Sequence, residues 1–313
     1  MTRPRVVAIG GGTGLPRLLT ALLAIGASPT AVVTVADDGG SSGWLRRAFG
    51  ILPPGDIRNC LVALSDDPDG DLASVFQFRF AEGEGLAGHA LGNLIIAALT
   101  DMTGSFAEAV ARSGELLGAR GQVLPSTLAD VVLHAEDADG ASIEGQALIA
   151  CSPRIDRVFL APADPPAYAP VLEAIGEADA VILAPGSLYT SLLPNFLVDG
   201  VLDAICRTSA PVTYICNVAN MRGETMGMDA ADHVDALVAH GLGHAVNRVL
   251  VHDTEAVPPP ASIDVAPVVC GAAERSRIEH AGLEVVAADL ADRTDWRHHD
   301  SARLASALPE VIG

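Results

Sequence analysis

An apolar β-branched run at Arg5 to Ile9, a glycine loop at Gly10 to Gly14, an apolar stretch at helical spacing from Leu15 to Ile25 and a second apolar run at Ala31 to Val35 follow one another with almost no spacer. Strand, loop, helix and strand in that order make a β-α-β unit, so the two strands are parallel and their crossover is right-handed. A chain that opens this way is committed to an α/β sheet covered on both faces. Ala180 to Ala184 fits the same plan: it is apolar throughout, as a central parallel strand is.

The fold class expected is therefore α/β: a Rossmann-like three-layer sandwich with a mainly parallel sheet. Further strands are expected at Val212 to Cys216 and Val246 to Val251, with a weak one at Val285-Val286. Helices are expected at Ile57 to Leu64, Leu94 to Leu99, Pro170 to Ala178, Val198 to Arg207, Asp232 to His240 and Ser301 to Leu308, within a mainly helical stretch from Leu72 to Leu117 in the first half. Pro258 to Ala261 reads as a surface loop. Between Gln122 and Leu160 the period changes: Val131 to Glu136, a turn at Asp137 to Gly140, and Ala141 to Ile149 read as a hairpin, followed by a strand at Ile155 to Leu160. With 313 residues, half of them hydrophobic, the chain is read as a single domain over 1–313. Residues 1–120 and 165–313 form the nucleotide-binding core and 121–164 a small β-containing subdomain.

In an open parallel sheet, ligands bind at the carboxyl ends of the strands. Two loops stand there early in the chain. The first, with Gly11, Gly12, Thr13 and Gly14, precedes a helix, so its N–H groups and the helix dipole converge on one spot suited to phosphate. It departs from G-x-G-x-x-G at Leu15, and glycines for close strand–helix packing are the other reading. The second is Asp37-Asp38-Gly39-Gly40-Ser41-Ser42-Gly43, read as two carboxylates and a glycine–serine loop. A dinucleotide fold uses one acid at this distance to hold ribose; here there are two. The second acid, Asp38, is available to hold Mg²⁺ together with ligand phosphates, or to act as a base toward a hydroxyl.

Three more clusters belong to the same edge. Asp56, Arg58 and Asn59 follow Pro54-Gly55, with Asp56 read as a helix cap and Arg58 as either a bidentate anion ligand or a surface charge. His89 and Asn93 sit four residues apart at a glycine-flanked helix start, where a histidine is structural or functional. Gly186, Ser187, Leu188 and Tyr189 follow the central strand; Tyr189 is suited to stacking on a base or packing over a sugar, while Ser187 or Thr190 can cap a helix. Asn217 ends the next strand. Neither Ser41 nor Ser187 stands in a G-x-S-x-G elbow, so no Ser-His-Asp motif is recognisable. The tract Asp295-Trp296-Arg297-His298-His299-Asp300-Ser301 lacks metal-ligand spacing and reads better as a cap before the last helix.

Composition excludes several chemistries. Formal net charge is −20 and there is no basic run, which argues against nucleic acid and anionic membrane surfaces. All 19 basic residues are Arg, so Schiff-base chemistry and a phosphate-loop lysine are excluded; phosphate must be gripped by backbone N–H groups, helix ends or Arg. The five cysteines are scattered and include no C-x-x-C, so a disulfide framework or zinc site is not expected. No signal-peptide or membrane-spanning pattern is visible, and a soluble cytoplasmic protein is expected.

Taken in order, Gly-Gly-Gly-Thr-Gly (10–14), Val-Thr-Val-Ala-Asp-Asp-Gly-Gly-Ser-Ser-Gly (33–43), Pro-Pro-Gly-Asp-Ile-Arg-Asn (53–59), Gly-His-Ala-Leu-Gly-Asn-Leu (88–94) and Pro-Gly-Ser-Leu-Tyr-Thr-Ser (185–191) closely resemble the YvcK-type gluconeogenesis factor family. That family lies within the superfamily of CofD-like 2-phospho-L-lactate transferases. The resemblance implies a Rossmann-like core with a smaller α/β part. It also implies a cytoplasmic binder of a nucleotide sugar, UDP-N-acetylglucosamine, needed for cell shape when carbon enters through gluconeogenesis. Its partners would be that UDP-sugar or another nucleotide, and a second copy of the chain in a homodimer. The transferase relatives move a lactyl-phosphate group from a guanosine-linked donor to a deazaflavin alcohol with Mg²⁺, which makes a Mg²⁺-dependent phosphotransferase the alternative and Asp38 its catalytic candidate. The gluconeogenesis-factor branch commonly carries an Arg-His-Asp-Thr tail whose Thr is phosphorylated. Here the stretch reads His298-His299-Asp300-Ser301, with Arg297 one place earlier.

Overall fold

The computed structural model describes residues 3–152, 155–220, 223–253 and 265–312. Ten strands and twelve α-helices are placed among them. Seven strands form one all-parallel sheet: β1 (Arg5–Gly10), β2 (Ser28–Val33), β3 (Gln122–Pro125), β7 (Ala180–Leu183), β8 (Val212–Ile215), β9 (Arg248–His252) and β10 (Glu284–Ala288). Their order across the sheet is β10-β9-β8-β7-β1-β2-β3.

That order places the site. From β1 the chain steps outward through β2 to β3; from β7 it steps the other way through β8, β9 and β10. Crossovers of one hand that step in opposite directions put their helices on opposite faces. The loops after β1 and β7 therefore diverge, and a crevice opens between them at the carboxyl edge. α1 (Gly14–Ala24) packs between α3 (Gly55–Leu64) and α12 (Ser301–Ile312), while α8 (Ala169–Gly176) pairs with α9 (Val201–Arg207). All four residues of β7 are buried, as are those of β8. With few aromatics, the core is built from Val, Leu, Ile and Ala side chains such as Val7, Ile9, Val32, Ile182 and Leu250, each branched side chain contributing roughly 1.5–3 kcal/mol on burial.

A second, antiparallel sheet has the order β5-β4-β6, from β4 (Val132–Asp137), β5 (Ser142–Glu144) and β6 (Ile155–Ala161). β3 extends the large sheet, so the strands of the small sheet begin only at Val132.

Several local expectations are corrected. The segment read as a loop after the second strand is the start of α2 (Gly40–Phe49); its glycines and serines carry little helix propensity, and the helix is instead secured by the C-cap at Gly50 and by Leu45 buried in the core. The stretch from Leu72 to Leu117 is broken: α4 (Asp71–Gln77), α5 (Leu91–Thr103) and α6 (Phe106–Leu116) are helical, but 78–90 is not. The second arm of the expected hairpin stops at Glu144, and α7 (Gln146–Ile149) follows. α11 (Ala272–His280) was not expected, because its amphipathic signal is weak. β10 is a full edge strand, held by its register with β9. The expected loop at 258–261 lies outside the described residues. Asp300 caps α12 as expected, its carboxylate accepting from Arg303 N–H at 2.9 Å. Among the described residues, no helix is long and apolar enough to cross a membrane.

Candidate functional site

The crevice at the β1/β7 divergence is a cavity of about 290 Å³ lined by the loops after β1, β7 and β8 and by the segment before α12. Thr13 and Gly14 come from the first, Gly186 from the second and Asn217 from the third. Arg17, one turn into α1, joins them, as do Asn220 and the Arg297–His299 tract. The approach of the loops is backbone on backbone: a β-carbon at Gly14 would run into the Pro185 carbonyl, which is why glycine stands there. Asn217 fixes the other wall. Its Oδ1 accepts from Gly186 N–H at 2.8 Å and its Nδ2 donates to Gly186 O at 2.7 Å. Both hydrogen bonds hold Gly186 at φ 145, a conformation that other residues rarely adopt.

Asn220 lines the cavity and holds a buried amide. Its Nδ2 donates to Met228 O at 2.9 Å, so the orientation of the amide is set. Oδ1 is then a buried acceptor with no hydrogen-bond partner among the described residues. Leaving such an acceptor unpaired costs roughly 1–3 kcal/mol, and a ligand donor would recover it.

Next to this cavity, toward β2, lies a polar cluster. Asp56 is not the helix cap expected from the sequence; α3 begins one residue earlier with Pro54 before it. Asp56 Oδ2 instead accepts from Gly12 N–H at 2.6 Å, tying the glycine loop to α3. Burial pushes its carboxyl up to about 6, and the neighbouring Asp37 charge adds to the rise. Asp37 is also raised, chiefly by burial, against the opposing Gly39 N–H and Ser42 hydroxyl. Gly39 N–H reaches Asp37 Oδ1 at 2.9 Å. Ser42 accepts from Gly55 N–H at 3.1 Å and so ties the α2 start to α3.

Asp38 faces elsewhere. Its Oδ1 accepts from Ala147 N–H at 3.0 Å, at the start of α7 in the small-sheet region. The Asp37 charge contributes to the rise at Asp56, and the Asp38 charge to the rise at Asp37, while the Asp38 carboxylate ties the segment after β2 to α7.

Arg58 is 4% exposed. It donates to Asn93 Oδ1 at 3.1 Å and to Asn59 Oδ1 at 2.6 Å, and its Nε has no partner among the described residues. Burial and the Arg79 charge lower it to about 10. Asn93 in turn donates to Ser41 Oγ at 3.1 Å, and Ser41 Oγ lies 2.9 Å from His89 Nδ1.

Leu188 and Tyr189 are buried behind the Gly186 turn, in the π-helical turn Leu188–Leu192. The Tyr189 ring meets His240 edge-on at 6.1 Å. Ser187 precedes this turn, and its hydroxyl makes no cap hydrogen bond to the turn's backbone. Sequence reading did not single out Glu224, 2% exposed, whose two carboxylate oxygens are buried without a hydrogen-bond partner among the described residues; burial raises it to about 7. Arg17 and Asn220 were missed too. Their only sequence signal is position: one turn beyond Thr13, and three residues beyond Asn217. Of the Arg297–His299 tract, the buried His299 donates from Nε2 to Cys216 O at 3.0 Å and is lowered by burial to about 3, so it remains neutral. Among the described residues no group of three or more His, Cys, Asp or Glu side chains is placed to hold a metal ion.

A family model described as "2-phospho-L-lactate transferase CofD" matches residues 6–291. A "Gluconeogenesis factor" of Bacillus subtilis is 43% identical over 99% of this chain and 98% of its own length. One from Halalkalibacterium halodurans is 48% identical over 80% of this chain and 78% of its own. The crystal structure of a Bacillus halodurans protein matches with a TM-score of 0.90 at 40% identity, covering 98% of this chain and all of that one.

Proposed function

The chain belongs to the 2-phospho-L-lactate transferase CofD family, among its gluconeogenesis factors, and from that premise we propose that it is a gluconeogenesis factor which binds a nucleotide sugar, UDP-N-acetylglucosamine, at the β1/β7 crevice. The observation that carries the ligand class is the cavity itself, with Asn220 in its wall beside the glycine loop. A uracil ring offers one N–H donor between two carbonyls, and in this reading the Asn220 amide turns its buried, unpaired Oδ1 to that donor when the ligand enters. The diphosphate then lies along the Gly11–Gly14 loop, where N–H groups and the amino end of α1 favour negative charge, with Arg17 and Arg297, which line the cavity and are ion-paired with Asp292 and Asp295, exchanging those partners for phosphate. In this reading the protein is cytoplasmic and acts by carrying ligand-dependent information on growth and cell shape.

The Asp37/Asp56 pair fits Mg²⁺ better than Asp38 does. Each keeps one carboxylate oxygen off its backbone N–H partner, and two partly buried acids beside a phosphate loop suit a hard cation shared with ligand phosphates. The cation would supply charge neutralisation. The same pair favours a second reading, a phosphotransfer of the 2-phospho-L-lactate transferase type: a carboxyl held at about 6 is poised to take a proton from an acceptor hydroxyl.

Titration calorimetry with UDP-N-acetylglucosamine, with and without Mg²⁺, tests the binding. Saturable binding that weakens at least about fivefold in Asn220→Ala supports it, since one hydrogen bond is worth about 1 kcal/mol or more. No heat under either condition would sink it.

A further inference from the structure

Arg58, Asn93, Ser41 and His89 form a hydrogen-bonded series in which the first member fixes the direction of the Asn93 bonds. A guanidinium can only donate, so the contact from Arg58 at 3.1 Å sets the Asn93 amide with its oxygen toward the arginine. The amide nitrogen, which also can only donate, then faces Ser41 Oγ at 3.1 Å. Ser41 accepts there and has its own proton left to give. The acceptor in reach is His89 Nδ1, at 2.9 Å. When the Ser41 hydroxyl gives that hydrogen to Nδ1, the ring's own hydrogen is on Nε2.

The surroundings suit a reactive hydroxyl. Arg58, Asn93 and His89 are buried, and the Trp44 ring closes over His89 at 4.8 Å, edge to face. Ser41 itself is only partly buried and stands in the first turn of α2, ten residues long, where backbone N–H dipoles favour negative charge. Hydroxyl, base and a positioned third group are the parts from which activated serine nucleophiles are built. Here Asn93, backed by the Arg58 charge, contacts the nucleophilic oxygen itself.

We propose that Ser41 is a nucleophilic serine, with His89 as its general base, reactive toward phosphorus esters and anhydrides. In the step, the Ser41 O–H bond breaks and its proton passes to His89 Nδ1. Oγ forms a bond to phosphorus, and the bond from phosphorus to the leaving group breaks, the leaving group departing with the electron pair. Asn93 N–H stabilises the negative charge that develops on Oγ. The natural donor, a nucleotide carrying a phosphoanhydride, rests on the nucleotide reading above; the reactivity of Ser41 does not.

Diisopropyl fluorophosphate, whose leaving group is fluoride, is the probe. The full chain should take up one equivalent, mapped to Ser41 by peptide mass spectrometry and absent from Ser41→Ala. His89→Gln, which keeps a hydrogen bond but no base, should slow the reaction at least about 100-fold, the lower end of general-base contributions. ¹⁵N NMR of the unmodified protein gives a readout free of folding artefacts in the variants: His89 should carry its hydrogen on Nε2, and Ser41→Ala should move the Nδ1 signal. No labelling, labelling spread over other serines, an unchanged rate in His89→Gln, or a hydrogen on Nδ1 would each overturn the proposal. Ser41 labelling in a protein that binds no UDP-sugar would remove the nucleotide reading alone, and binding without labelling would remove this one alone.

Discussion

At the scale of the residue, burial decides protonation and protonation decides stability. Glu224 titrates at about 7 in the folded chain against an ordinary 4.5. Between those values the folded state binds the extra proton, so the contribution of this group is most favourable below pH 4.5 and is lost as pH rises through about 7. Glu224→Gln stays neutral throughout. Its stability relative to the parent should therefore grow by up to about 3 kcal/mol between pH 4.5 and 8, read from urea unfolding at each pH; a difference independent of pH would contradict the assignment. Gly14 makes a steric prediction. Gly14→Ala forces a methyl into the Pro185 carbonyl and should destabilise by roughly 1–3 kcal/mol while weakening nucleotide binding, because the two loops can no longer close on each other. Unchanged stability and affinity would mean that the loops part easily. At this scale the sequence exposed residue types and spacing but not direction. Asp37 and Asp38 are adjacent and indistinguishable as letters; only the alternation of the backbone sends one toward Asp56 and the other toward Ala147.

At the scale of the element, the start of α2 is a joint. Ser42 binds it to α3, Asp38 binds the residues before it to α7, and Arg46 reaches the segment before β4 through Val131 O at 2.6 Å and an ion pair with Asp130. Asp38→Ala should free the first turn of α7. Hydrogen exchange at Ala147 would then accelerate by an amount equal to about 1–2 kcal/mol, the range of a charge-assisted hydrogen bond, with exchange in β7 unchanged. Equal exchange at Ala147 in both proteins would show that the bond holds nothing. The strands β1, β2, β7, β8 and β9 were legible because each is an apolar run, buried on both faces or nearly so. α2 was not, because Gly40, Ser41, Ser42 and Gly43 are poor helix formers whose conformation is imposed by tertiary contacts; a β-carbon at Gly43 would strike the Asp38 carbonyl.

At the scale of the whole molecule, the sheet order makes a crevice that the chain lines from five separate places: 13–17, 185–186, 217–220, Val265 and 297–299. The pairing of Ser41 with His89, 48 residues apart, and the orphaned Asn220 oxygen have no signature in the linear sequence, since both arise only when loops from distant strands meet. Their joint meaning is most directly tested by a crystal structure of the protein soaked with UDP-N-acetylglucosamine. The account expects uracil density with its N3 within hydrogen-bond distance of Asn220 Oδ1 and the diphosphate against the Gly11–Gly14 loop. A fully occupied ligand seated elsewhere, or an empty crevice at saturating concentration, would contradict it.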